Sequence, residues 1–226
     1  MSGTRDDILG RLRRQLGRTD ATRAEAQARV EAVLAARQCG PRAPSDALVE
    51  RFIERARAML STVERCPAES EVPAFCARWL AAQSLPLDLV VAPPFAHLDW
   101  AGAGLRMRVG AADADGDDRV GVTGCFRAIA ETGTLMLRSG VDMPPVNSLL
   151  PETHIAIVPV ARIVADMEAA WADARSEWGN AGGAEGGQGW PRAVNFVSGP
   201  SRTADIEQVI VLGAHGPFRV HLLVVG

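Results

Sequence analysis

Three stretches of this chain are almost wholly apolar and no longer than a strand: LDLVVAP (87–93), HIAIVPV (154–160) and FRVHLLVVG (218–226). A strand that is apolar at consecutive rather than alternate positions has to be covered on both faces, which is the condition inside a parallel sheet with layers on either side. The prediction is an α/β fold of three layers, α/β/α, around a mostly parallel sheet. None of the three runs approaches the ~18 to 20 residues needed to span a bilayer. With 226 residues, 47% of them hydrophobic, there is material for one sizeable domain and an appendage.

The appendage comes first. Ile8, Leu9, Leu12 and Leu16 recur at helical intervals, and ATRAEAQARVEAVLAARQ continues as a second helix that Cys39-Gly40-Pro41 should stop. Residues 1–42 therefore read as a helical arm, which either covers the protein's own sheet or docks a partner, ahead of an α/β domain at 43–226. In that domain Leu48, Phe52, Ala56, Met59 and Leu60 predict a helix from Ser45 through about Glu64, and Phe75, Trp79 and Leu80 another over 69–83. LRMRVG alternates and reads as a half-exposed strand, with DADGDD as a hairpin loop after it. That loop is not a calcium site, since the twelfth position from Asp113 is Gly124 where a bidentate Glu is required. A helix is expected over 161–178, and the glycine-rich stretch 179–189 is read as a mobile loop or a lid.

Composition removes whole chemistries. There is no lysine and no tyrosine, so all 24 basic residues are arginine. Schiff bases, pyridoxal-phosphate lysines and phosphate-loop lysines are excluded, and any anion must be held by arginine, histidine or backbone N–H groups. The four cysteines, at 39, 66, 76 and 125, include no C-x-x-C pair, so the chain does not read as a cluster-binding or metal protein. A net charge of −3 gives nucleic-acid binding no support. The acids early in MSGTRDDILGRLRRQLG, with no apolar core after them, point to the cytoplasm.

Two polar blocks sit between apolar runs, where loops at strand ends carry sites. In the first, FRAIA and TLMLRS, the latter beginning at Thr134, flank Glu131-Thr132-Gly133, predicting a strand–turn–strand with the glutamate at the bend. A carboxylate kept from water there would have a raised pKa and could act as base or nucleophile; the alternative is a structural carboxylate paired with Arg127 or Arg138. In the second, RAVNFVSGP is a strand, and Ser201-Arg202-Thr203-Ala204-Asp205 is expected to open a helix whose free N–H groups, hydroxyls and arginine make an anion pocket. Asp205 and Glu207 have an alternative role in complementing the helix dipole. His215, between Gly213 and Gly216, is the favoured acid or base among four histidines. His154 reads either as a ligand donor or as a structural histidine. Glu131, Arg202 and His215 are expected to converge on one crevice.

Spelled as AIAETGTLML, SLLPETHIAIVP, GPSRTADIE and VLGAHGP, in this order and at these intervals, the sequence resembles the LUD-domain family and, within it, the lactate utilization protein C group. The resemblance implies a fold of the type shared by sugar-phosphate isomerases and CoA transferases. It also implies a role beside iron–sulfur partner proteins in oxidising L-lactate to pyruvate, with the clusters on the partners, no cofactor in this chain and a small carboxylate or phosphorylated metabolite as ligand. The competing expectation is an independent isomerase or acyl-transferase-like enzyme using Glu131.

Overall fold

The computed structural model describes residues 3–36, 46–113, 118–179, 189–203 and 211–226. Two compact units are present, Met1–Arg42 and Ala43–Gly226. The first holds α1 (Gly3–Gln15) and α2 (Asp20–Ala36), where the apolar spacing puts them. Ile8 and Leu12 of α1, Val30, Val33 and Leu34 of α2, and Leu16 just after α1 are all exposed. The predicted stop at Cys39–Pro41 lies outside the described residues.

The second unit opens with α3 (Leu48–Ala58), β1 (Thr62–Cys66), α4 (Val72–Ala82), β2 (Asp88–Val91), β3 (Arg106–Val109) and β4 (Val120–Gly124). It continues with β5 (Arg127–Ile129), β6 (Thr134–Arg138), β7 (Thr153–Pro159), β8 (Ile163–Val164) and α5 (Met167–Gly179). Four more strands close it: β9 (Val194–Val197), β10 (Arg202–Thr203), β11 (Val211–Leu212) and β12 (Arg219–Val225). Six strands in the order β1-β12-β7-β4-β2-β3 form one sheet, every neighbouring pair parallel. A smaller sheet, β8-β5-β6-β9, carries two antiparallel pairs, and β10 and β11 form a two-stranded antiparallel sheet of their own.

The apolar runs fold this way because both faces of the large sheet are buried. Along β7, Ile155 and Ile157 point to α4, joining Val72, Cys76, Trp79 and Leu80 in one core. Ala156 and Val158 point the other way, into a core shared with Phe52, Ile53 and Ala56 of α3 and with Ala128, Leu135 and Leu137 of the small sheet. The outer face of the small sheet is sealed in turn by α5, through Ala170, Ala174 and Trp178 against Phe126, Ile129 and Met136. The α/β class with a mostly parallel central sheet is therefore present, and one of its covering layers combines a helix with a second sheet.

Several local expectations are corrected. The helix expected to reach Glu64 ends at Ala58: Leu60 takes φ +70°, Ser61 N–H donates to Ala56 C=O, and the chain leaves as β1. This strand is at the sheet edge, where its Val63 carbonyl accepts from the Arg57 guanidinium at 3.0 Å, a cap that blunts the open edge. DADGDD joins no hairpin, because β3 and β4 lie parallel on the two sides of β2; residues 114–117 are outside the described set. All of β3 is exposed, as an edge strand permits. The helix expected from 161 begins at Met167, with Asp166 Oδ1 accepting from Ala169 N–H at 2.8 Å, and Ile163 and Val164 pair with β5 instead. Of the glycine-rich stretch, 180–188 lie outside the described residues.

Candidate functional site

The ETGT bend forms as predicted, between β5 and β6, with Ile129 opposite Thr134. Gly133 makes the turn at φ +68°, a backbone region that favours glycine, and its N–H donates to Ile129 C=O at 2.9 Å. The Glu131 N–H donates to Ala165 C=O at 3.0 Å, fixing the half-buried glutamate beside β8. A file of hydroxyls leads inward from the bend: exposed Thr132 donates to buried Thr134 at 2.7 Å, and Thr134 shares a 2.7 Å hydrogen bond with Ser198.

Ser198 belongs to the second block, so that bond joins the two stretches. It stands just past β9, whose antiparallel pairing with β6 brings Val197 opposite Leu135. Both loops then lean on the last turn of α3. A Cβ on Gly133 would lie 2.3 Å from Ala56 N, and one on Gly199, at φ +80°, would lie 1.9 Å from Met59 O. The path continues to Ser201, whose N–H donates to Pro217 C=O at 2.9 Å and whose Oγ accepts from His215 N–H at 3.3 Å. Ser201 and His215, 14 residues apart in sequence, are thus adjacent.

This cluster lies at the amino ends of β1 and β12, since Met59 precedes β1 and Pro217 precedes β12. Ligands of open α/β sheets usually take the carboxyl ends at a reversal of strand order. Here that place, between β2 and β4, has Phe95 lying 2.8 Å from where a Gly124 Cβ would stand.

Other site expectations fare differently. Arg202 and Thr203 do not start a helix: they pair as β10 with Leu212 and Val211, and Arg202 is exposed. The backbone N–H groups of a helix mouth are therefore not what residues 201–203 offer. Asp205 and Glu207 lie outside the described residues. Neither arginine considered as a partner for Glu131 serves it, because Arg127 is bonded to Asp173 and Glu177, and Arg138 to Asp142. His215 is exposed.

His154 and His221 are the fully buried histidines, on opposite faces of the large sheet. His154 Nε2 lies 2.8 Å from Thr123 Oγ1, whose own proton goes to Gly124 C=O at 3.0 Å; the ring is then the donor and its Nδ1 a bare lone pair. His221 Nδ1 meets Thr62 Oγ1 at 2.8 Å, its ring stacks on Trp79 at 4.2 Å, and Nε2 has no partner. A second proton would have no acceptor in either case. Burial lowers His154 to about 4, and burial followed by the nearby Arg78 charge lowers His221 to about 3. Both are neutral structural groups.

The LUD domain model matches residues 49–225. This chain belongs to the LUD-domain family. The matched span takes in the bend, the Ser198–His215 loops and the turn of α3 on which they rest. Related sequences named lactate utilization protein C include those of Halalkalibacterium halodurans (38% identical), Bacillus licheniformis (41%) and Bacillus subtilis (40%), each over 106 residues, or 47% of this chain. Those alignments cover 44%, 42% and 42% of the relatives, so the chain spans less than half the length of the curated relatives it matches. In fold, the crystal structure of a DUF162 family protein from Deinococcus radiodurans superposes with a TM-score of 0.54 at 23% identity, covering 79% of this chain and 96% of that one.

Cluster ligands are thiolates. Burial raises the pKa of Cys66 and of Cys76 and pushes that of Cys125 up to about 12. Among the described residues no group of three or more His, Cys, Asp or Glu side chains is placed to hold a metal ion. What the site presents is hydroxyls held in place by two glycine turns, the backbone N–H groups of Glu131, Gly133, Ser201 and His215 all being spent on internal bonds. No described helix is long and apolar enough to cross a membrane.

One feature is not foreshadowed by the strand and loop patterns. At the end of β6 remote from the bend, a cavity of about 290 Å³ is bordered by Arg138, Asp142 and Trp178. Its only trace in the sequence is R-S-G-V-D, an arginine and an aspartate four apart around a glycine.

Proposed function

We propose that this protein is a cytoplasmic subunit or accessory protein of an L-lactate-oxidising system, in which L-lactate becomes pyruvate only when iron–sulfur partner proteins are present. The observation that carries this reading is the agreement, at 38–41% identity over 106 residues, with relatives named for lactate utilization. The chemistry of the chain is compatible with it. Oxidation of a secondary alcohol removes two electrons, and among the described residues no group of three or more His, Cys, Asp or Glu side chains is placed to hold a cluster's iron. The electrons are then taken up on partners, while this chain binds a carboxylate and presents a docking surface.

The two glycine turns suit that role. They fix the hydroxyls of Thr132, Thr134 and Ser198 in one hydrogen-bonded file beside the Glu131 bend, an arrangement suited to positioning. The test is L-lactate-dependent dye reduction by the purified protein, alone and after reconstitution with its iron–sulfur partners. Reduction is expected only in the reconstituted mixture. Turnover by the isolated chain would end the subunit reading, and a reconstituted mixture that is equally active without this chain would end the lactate assignment.

A further inference from the structure

The cavity at the Arg138 end of β6 is a separate place from the bend, about 13 Å away along the same strand. Arg138 faces Val194 where β6 runs beside β9, Trp178 of α5 supplies one wall, and Val141 and Pro191 stand at the lip. The loop that follows is firmly tied. Ser139 N–H donates to Ala193 C=O and Ala193 N–H returns a bond to Ser139 Oγ, both at 2.9 Å, while Gly140 and Met143 exchange backbone bonds at 3.3 and 3.2 Å. Trp178 is equally fixed, 4.4 Å from the Phe126 ring and 5.5 Å from Trp190. Val141, by contrast, is 96% exposed, with none of the described residues covering it.

The polar atoms in this frame are specific. The Arg138 side chain is only 22% exposed and bonds through Nη2 to Asp142 Oδ2. That leaves Nη1 and Oδ1, which among the described residues have no further hydrogen-bond partner. They lie together over Gly140, 2.8 and 2.4 Å from where a Cβ would stand, and Gly140 itself lines the cavity. A charged donor and a charged acceptor, side by side above a bare backbone and next to an indole, call for a ligand with an anion and a hydroxyl on neighbouring carbons.

We propose that this cavity binds a small 2-hydroxy carboxylate. The carboxylate takes Arg138, the hydroxyl donates to Asp142, and the carbon body rests against Trp178. The corresponding 2-oxo acid is discriminated against, because its carbonyl has no proton to give and meets the Asp142 carboxylate as a second acceptor. Choosing L-lactate as the probe rests on the proposed function; the donor–acceptor argument does not.

The test is calorimetric titration of the full chain with L-lactate, pyruvate and propionate. L-lactate is expected to saturate, with the other two at least about tenfold weaker, the factor that loss of one charge-assisted bond produces. Arg138→Leu should abolish binding of all three. Asp142→Ala should keep carboxylate binding but remove the preference for lactate over propionate, a readout that general damage to the fold does not mimic. If Arg138→Leu does not fold, the Asp142→Ala comparison decides. Failure of L-lactate to saturate at concentrations well above the millimolar range, equal affinity for all three acids, or an unchanged preference in Asp142→Ala would each overturn the site. Loss of this binding alongside intact partner-dependent oxidation refutes the cavity and spares the pathway; binding without oxidation in any reconstitution does the reverse.

Discussion

Acid should weaken this fold well before its carboxylates titrate, and the two buried histidines set the size of the effect. Both have folded pKa values below the ordinary 6.5, at about 4 for His154 and about 3 for His221, and both side chains are 0% exposed. The unfolded chain takes up protons as the pH falls through 6.5, whereas the folded chain refuses them until pH 4 or below. Their contribution is therefore fully favourable above about pH 7.5 and is lost progressively as the pH falls from 6.5 toward 4. At about pH 5.5, one unit below the unfolded value, each histidine costs about 1.4 kcal/mol, or about 3 kcal/mol together, a large share of a typical domain's 5–15 kcal/mol.

Urea unfolding followed by tryptophan fluorescence at about pH 7.5 and about pH 5.5 measures the loss while most carboxylates remain ionised in both states. His221→Phe, which keeps a ring on Trp79 but cannot titrate, should halve the difference between the two pH values. His154→Gln should do the same on the other face of the sheet. An equal stability at both pH values, or a full pH difference surviving in both buried variants, would refute the assignment of these rings as neutral groups with no second acceptor.

Two further outcomes follow from the site. Gly199→Ala should destabilise by about 1–3 kcal/mol, because it adds a Cβ 1.9 Å from Met59 O at φ +80°; Gly189→Ala, whose Cβ would meet none of the described residues within 4 Å, is the control, and a neutral Gly199 variant in chemical denaturation would show that the α3 turn is not a fixed seat. Glu131→Gln should change stability by less than about 0.5 kcal/mol, since neither Arg127 nor Arg138 pairs with it. The same variant in the reconstituted lactate assay separates the two functional readings: abolished turnover would favour a catalytic carboxylate over a positioning bend.

The interior of the large sheet was legible because runs such as HIAIVPV are apolar on both faces, and a strand of that kind is stable only with a layer packed on each side. The ETGT bend was legible for a similar reason, with glycine at the residue that takes positive φ. What stayed hidden was structure fixed by neighbours. β1 reads TVERC, with two of its five residues charged, because an edge strand has one side open to water, and the residue that turns the chain out of α3 is Leu60 at φ +70°, a conformation no leucine advertises. Arg202 looked like the first turn of a helix because Ser-Arg-Thr after Ser-Gly-Pro has cap-like composition; its strand partner is Leu212, ten residues on. The Arg138 cavity needed α5 and β9 to be placed before an i, i+4 ion pair became a lined space.

The seating of Gly133 and Gly199 on one helical turn has a consequence for how this protein can vary. The two loops share a single mechanical footing, so a bulkier residue in either must displace the close of α3 and, with it, the other loop. Accommodation would have to come from around Arg55 to Met59, a segment that looks like plain helix and nonetheless governs the spacing of both.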